Sequence, residues 1–106
     1  MASAGEKHVA IDISSATTTT VISTAADEYF NVVKLFLHAS GANAATLKSA
    51  STVLCGKLDL VAQERFFLES ADGVSLLRGA AVGDDFTIVT TTTAQLSGFV
   101  VYKITN

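Results

Sequence analysis

Chemistry needs residues that can take a proton, attack a carbon or hold a cation, and this chain has few. Its two histidines, His8 and His38, sit far apart in sequence and each lies within an apolar alternating run. Its one cysteine, Cys55, falls in "SASTVLCGK", with no histidine nearby. Nucleophilic catalysis needs a thiol or hydroxyl beside a positioned base, and that base beside an orienting acid. No such cluster occurs, and no G-x-S-x-G elbow is present. We therefore expect Cys55 to be a small hydrophobe in a strand and both histidines to be surface or edge residues. Neither histidine has a third metal ligand nearby in sequence.

The carboxylates offer one alternative. Asp84 and Asp85 follow Gly83, and Asp72 precedes Gly73. Loop carboxylates beside a glycine can hold calcium, but the D-x-D-x-D-G spacing is absent. A turn is the expectation, with an ion at Asp84 and Asp85 left open. Asp27, Glu28, Tyr29 and Phe30 form an acidic-aromatic stretch; exposed aromatics anchor interfaces, but Phe30 reads better as core. Gly56, Gly79 and Gly83 make no phosphate loop, because no strand–loop–helix with a following Lys and Ser or Thr is present. The expectation is a non-enzyme with no catalytic, cofactor-binding or metal-binding residues.

The elements that carry these residues are strands. "HVAIDIS" sets Val9, Ile11 and Ile13 against Ala10 and Asp12, a period of two. "NVVKLFLHAS" sets Val33, Leu35 and Leu37 against Val32, Lys34, Phe36 and His38. "FTIVTT" points Phe86 and Ile88 inward. "AQLSGFVVYKIT" groups Leu96, Val100, Tyr102 and Ile104, and Gly98 in that register marks a bulge or a close backbone contact. "RFFLES" has three apolar residues in a row and reads as a strand that passes from one covered face to two. "TAADEYF" could open a helix with Asp27 and Glu28. The β-branched run that follows instead predicts a turn over 25–30 and a strand over 31–39. "ADG" at 71–73 is a turn signal. About eight strands result, spaced like those of a sandwich or barrel.

Two threonine blocks, 17–20 and 90–93, flank strands. Threonine combines β propensity with a hydroxyl, so rows of it wet a sheet without charge. They are read either as a face that stays soluble alone and packs on a partner, or as ordinary exposed strand positions.

The 106 residues make one domain with a thin core. Hydrophobic residues are 49% and charged residues 16% of the chain, below the usual charged share, which favours a surface that meets protein. The net charge of −3 and the scattered cations exclude a nucleic-acid stripe. No apolar run is long enough for a membrane helix. The "MASAGEKHVAIDIS" opening lacks a secretory pattern, and a lone cysteine fits a reducing cytoplasm. Residues 1–8 are expected as a flexible arm and 9–106 as the sandwich.

From Thr46 onward, "TLKSASTVLCGKLDLVAQERFFLE" and "LLRGAAVGDDFTIVTTTTAQLSGFVVYKIT" resemble small β-sandwich virion proteins of tailed bacteriophages. Lys48, Ser49, Ser51, Thr52, Leu54 and Gly56 match a "T-x-K-S-x-S-T-x-L-x-G" strand. Leu58, Leu60 and Ala62 match the next, and Gly83, Phe86, Ile88, Ala94, Gly98, Val100 and Tyr102 match the closing part. Where many members carry "A-A-N-G-G", this chain has "VAQERFF", a charged turn in place of a glycine one. The resemblance covers about 60 residues of the 106.

It implies an antiparallel, jelly-roll-like sandwich, commonly a homotrimer, that serves as a capsid decoration (cement) protein. Such a protein assembles in the bacterial host cytoplasm and binds the major capsid protein or another virion protein on the capsid surface. A tail, baseplate or fibre-associated role is the alternative. A carbohydrate-binding module is a further one, with Tyr29 and Tyr102 as the aromatic platforms. No catalysis, cofactor, nucleic acid or membrane partner is implied, and no site residue carries over.

Overall fold

The computed structural model describes residues 5–71 and 74–106. It contains strands β1 (Glu6–Ile13), β2 (Thr18–Ile22), β3 (Tyr29–Ala39), β4 (Asn43–Ser49), β5 (Thr52–Leu60), β6 (Arg65–Glu69), β7 (Leu77–Arg78), β8 (Phe86–Thr90) and β9 (Leu96–Thr105). No α-helix occurs among the described residues. All pairings are antiparallel, in two sheets. The first sheet runs β1-β9-β3-β6, with the two-residue β7 also on β3, and the second runs β2-β8-β4-β5. This interleaved order is a jelly roll: only the β4–β5 hairpin and the β6–β7 link stay within one sheet. Of the expected N-terminal arm, residues 1–4 lie outside the described residues. Glu6, Lys7 and His8 are not an arm but strand, paired with Lys103, Tyr102 and Val101. The "ADG" turn also falls largely outside, at Asp72 and Gly73.

The core is the seam between the two sheets. Ile11 and Ile13 of β1, Leu35 and Leu37 of β3, Phe86 and Ile88 of β8 and Leu96 and Val100 of β9 are buried there, as their alternation requires. Phe30 and Phe86 meet across the seam, with ring centroids 5.3 Å apart. Burial of a large apolar side chain contributes about 1.5–3 kcal/mol, and these residues carry most of the stabilisation.

Three local features depart from simple alternation. A bulge between Val32 and Lys34 shifts the register of β3 against β9. It turns Val32 inward, with Phe30, instead of onto the outer face with Lys34. β3 also begins at Tyr29, two residues earlier than expected. The turn before it is closed by Glu28, whose amide donates to the Ala25 carbonyl (3.1 Å) and whose carboxylate accepts from the Ala25 amide (2.8 Å). Lastly, β6 keeps a strict alternation: Phe66 and Leu68 pack against the core, while Phe67 is 52% exposed.

Gly98 has a φ of +153°, and a side-chain carbon there would collide with the Phe36 carbonyl on β3. Only glycine lets β9 lie this close to β3. Sheet contact at this point therefore depends on one residue type.

Candidate functional surface

The residues able to do chemistry are not brought together. His8 is on β1 and His38 on β3, both on the outer face of the first sheet, while Cys55 is half-buried on β5 in the other sheet. His38 Nε2 lies 3.2 Å from Gln63 Oε1, and His8 packs at 5.7 Å on the Phe99 ring. Cys55 is free and packs partly against the core beside Leu47. Among the described residues, no group of three His, Cys, Asp or Glu side chains is placed to hold a metal ion.

Asp84 and Asp85 act as staples. The buried Ser49 hydroxyl donates to Asp84 Oδ2 (2.7 Å) and accepts from the Ala80 amide (2.8 Å). Thr24 donates its hydroxyl to the Asp84 carbonyl (2.8 Å) and its amide to Asp85 Oδ1 (3.0 Å). The Asp85 carbonyl accepts from the Ala50 amide (2.9 Å). One end of the sandwich is thus closed by three loops meeting on two aspartates. Sequence reasoning matched Ser49 only as a motif position; no local pattern ties it to a carboxylate so far along the chain.

Asn43 plays the same part at the opposite end. Its side-chain oxygen accepts from the amides of Thr91 (3.2 Å) and Thr92 (3.1 Å), and its nitrogen donates to the Ala94 carbonyl (2.9 Å). The second threonine block is therefore mostly loop, not sheet surface. Thr90, at the end of β8, is buried and donates to the Ser15 carbonyl (2.6 Å). The Thr92 hydroxyl donates to the Ala42 carbonyl (2.9 Å).

The turn that replaces the glycine-rich pattern, 61–64, holds Gln63 at a φ of +67°. Glu64 compensates by accepting from the Val61 amide through its carboxylate (2.8 Å). The Gln63 amide donates to the Ala39 carbonyl (2.7 Å) and the Glu64 carbonyl accepts from the Ala39 amide (3.0 Å). Side-chain hydrogen bonds do here what a glycine would do by conformation.

The broadest feature is the outer face of the first sheet. Cross-strand register places its outward residues in four rows. Asp12, Ser97, His38 and Arg65 form one. Ala10, Phe99, Phe36 and Phe67 form the next. His8, Val101, Lys34 and Glu69 follow, and Glu6, Lys103, Asn31 and Arg78 complete the set. Phe36 touches Phe99 at 5.7 Å and Phe67 at 6.3 Å between ring centroids. The rings form a continuous aromatic band over three strands. Lys34 and Glu69 form an ion pair at 3.3 Å beside it. At the end of the sheet, Arg78 stacks over Tyr29 at 4.1 Å. One face of that tyrosine, considered above as a sugar platform, is therefore covered, and Tyr102 is half-buried against the core. A shallow depression of about 320 Å³ at one end of the other sheet is lined by Lys57, Asp59, Thr91 and Thr92 among others and brings no reactive group beside them.

No protein-family model matches the chain, and no curated protein matches it. Among solved structures, it is similar in fold to a protein of Bacillus endospore appendages, described as a novel family of disulfide-linked pili. The match has 17% identity over 93% of this chain and 83% of that one, with a TM-score of 0.50. At that identity the likeness concerns the fold alone.

Proposed function

We propose that this chain is a non-enzymatic structural protein of a virion, in first place a decoration protein that caps the outside of a phage capsid. The observation that carries this reading is the aromatic band of Phe99, Phe36 and Phe67. Phe67 alone is 52% exposed, on a chain with 16% charged residues. A rigid sheet that presents rings outward is suited to covering another protein surface. The resemblance of residues 46–105 to phage sandwich proteins supplies the kind of assembly. Most of its matched positions fall on the β4–β5 hairpin, β8 and β9, with Ala62, Gly83 and Ala94 in the connections before β6, β8 and β9. In the trimer that the resemblance implies, three weak contacts with the major capsid protein add up through linked binding.

The test uses particles that lack this protein. They lose resistance to heat or chelator, and adding the purified chain restores it, with protrusions returning in electron micrographs. Equal robustness with and without the chain overturns the decoration reading. A fall in host adsorption instead favours the tail or fibre alternative. That alternative draws on the edge strands β1 and β5, each with one strand neighbour among the described residues, which can accept a strand from a neighbouring subunit, and on the pilus protein's similar fold.

A further inference from the structure

We infer that the outer face of the first sheet pairs with the same face of a second copy, about a two-fold axis parallel to the strands. The charges of this face select that partner and that orientation. Glu6 and Asp12 mark the β1 side of the face, whereas Arg65 and Arg78 mark the opposite side. Rotation about an axis running between β9 and β3 lays each row over itself in reverse.

Asp12 then faces Arg65 of the second copy, and Glu6 faces its Arg78. Phe99 lies on the second copy's Phe36, and Ala10 on its Phe67. His8 meets Glu69, and no two like charges oppose each other. The other in-plane axis, perpendicular to the strands, sets Asp12 on Glu6 and Arg65 on Arg78. It also drives Phe36 onto Lys34 and Phe67 onto Glu69. Like-charge contacts and rings laid on charges reject that arrangement.

Two sheets packed face to face keep their strands within about 30° of each other, which long arginine and glutamate side chains can span. The face is also self-complementary in the sense an isologous contact requires, since each half supplies what the other lacks. This pairing uses the band that the virion reading gives to the capsid, so the two contacts exclude each other: a copy docked on a capsid is unpaired, and a paired copy is free of it. The pairing joins copies two by two, and where trimers form it links one trimer to the next.

Charge exchange tests it by sedimentation equilibrium and native mass spectrometry, with circular dichroism confirming that each variant keeps the sheet fold. The wild-type chain self-associates in even steps. Asp12→Arg and Arg65→Glu each weaken that association by about tenfold or more, since each sets like charges together twice. An equimolar mixture of the two variants recovers wild-type affinity as a mixed pair, because every arginine again meets a carboxylate. Glu6→Arg mixed with Arg78→Glu repeats the test at the other corner. A mixture that stays as weak as its components overturns the inference. So does a trimer indifferent to all four substitutions, or a wild-type chain that is monomeric at its highest soluble concentration.

Discussion

The two outer faces of this sandwich are built from the same alternation and end in opposite chemistry. On the first sheet the outward positions are rings and paired charges: Phe99, Phe36 and Phe67, with Lys34 on Glu69. On the second, two rows hold threonines, valines and one lysine, with no ring among them. Thr20, Thr87, Lys48 and Val53 make one row, and Thr18, Val89 and Thr46 another. A strand surface therefore specifies a fold through its inner residues and leaves its outer residues free to differ. The first face presents rings outward; the second presents hydroxyl and aliphatic groups.

The largest expected effect comes from the point that makes the aromatic face flush. Gly98→Ala forces β9 away from the Phe36 carbonyl, and we expect a loss of more than about 3 kcal/mol in urea unfolding. Phe36 and Phe99 then separate, so self-association fails together with stability.

At the closed end, Ser49→Ala strips one hydrogen bond from Asp84 and leaves the Ala80 amide without its acceptor. We expect a cost of about 2 kcal/mol by the same measurement, with no change in self-association; a parallel loss of association would blur the contrast between the two regions. Phe99→Ser removes a half-buried ring from the band and costs about 1–2 kcal/mol, but it abolishes pairing at concentrations where the wild type is paired.

The smallest effect tests the threonine face. The Thr87 hydroxyl is buried and has no hydrogen-bond partner among the described residues. Thr87→Val replaces it with a methyl group of like shape, and stability rises by up to about 1 kcal/mol in thermal melts. A fall would mean that the hydroxyl is satisfied in solution and that the face is less bland than its composition.

Much of this was legible beforehand. The alternation in "HVAIDIS", "FTIVTT" and "AQLSGFVVYKIT" turns Ile11, Ile13, Phe86, Ile88, Leu96 and Val100 inward, as observed, and of the two readings of Gly98, a bulge or a close backbone contact, the structure shows the second. The phase of β3 before Lys34 was misjudged, because a bulge adds one residue without leaving a mark in composition. The aromatic band was invisible for a different reason. Phe36, Phe67 and Phe99 come from distant stretches and align only through the order β9-β3-β6. Asn43 and Ser49 were hidden likewise, since each organises loops contributed by the far half of the chain.

The position of β9 carries a consequence for synthesis. It lies between β1 and β3, so neither of those strands has its principal neighbour until translation has passed Thr105. β3 has β6 and β7 to pair with before then, but the first sheet closes only when this late segment slots between strands made long before. Phe36 and Phe67 meet on β3 and β6 first, and the three-ring band is complete only when β9 adds Phe99.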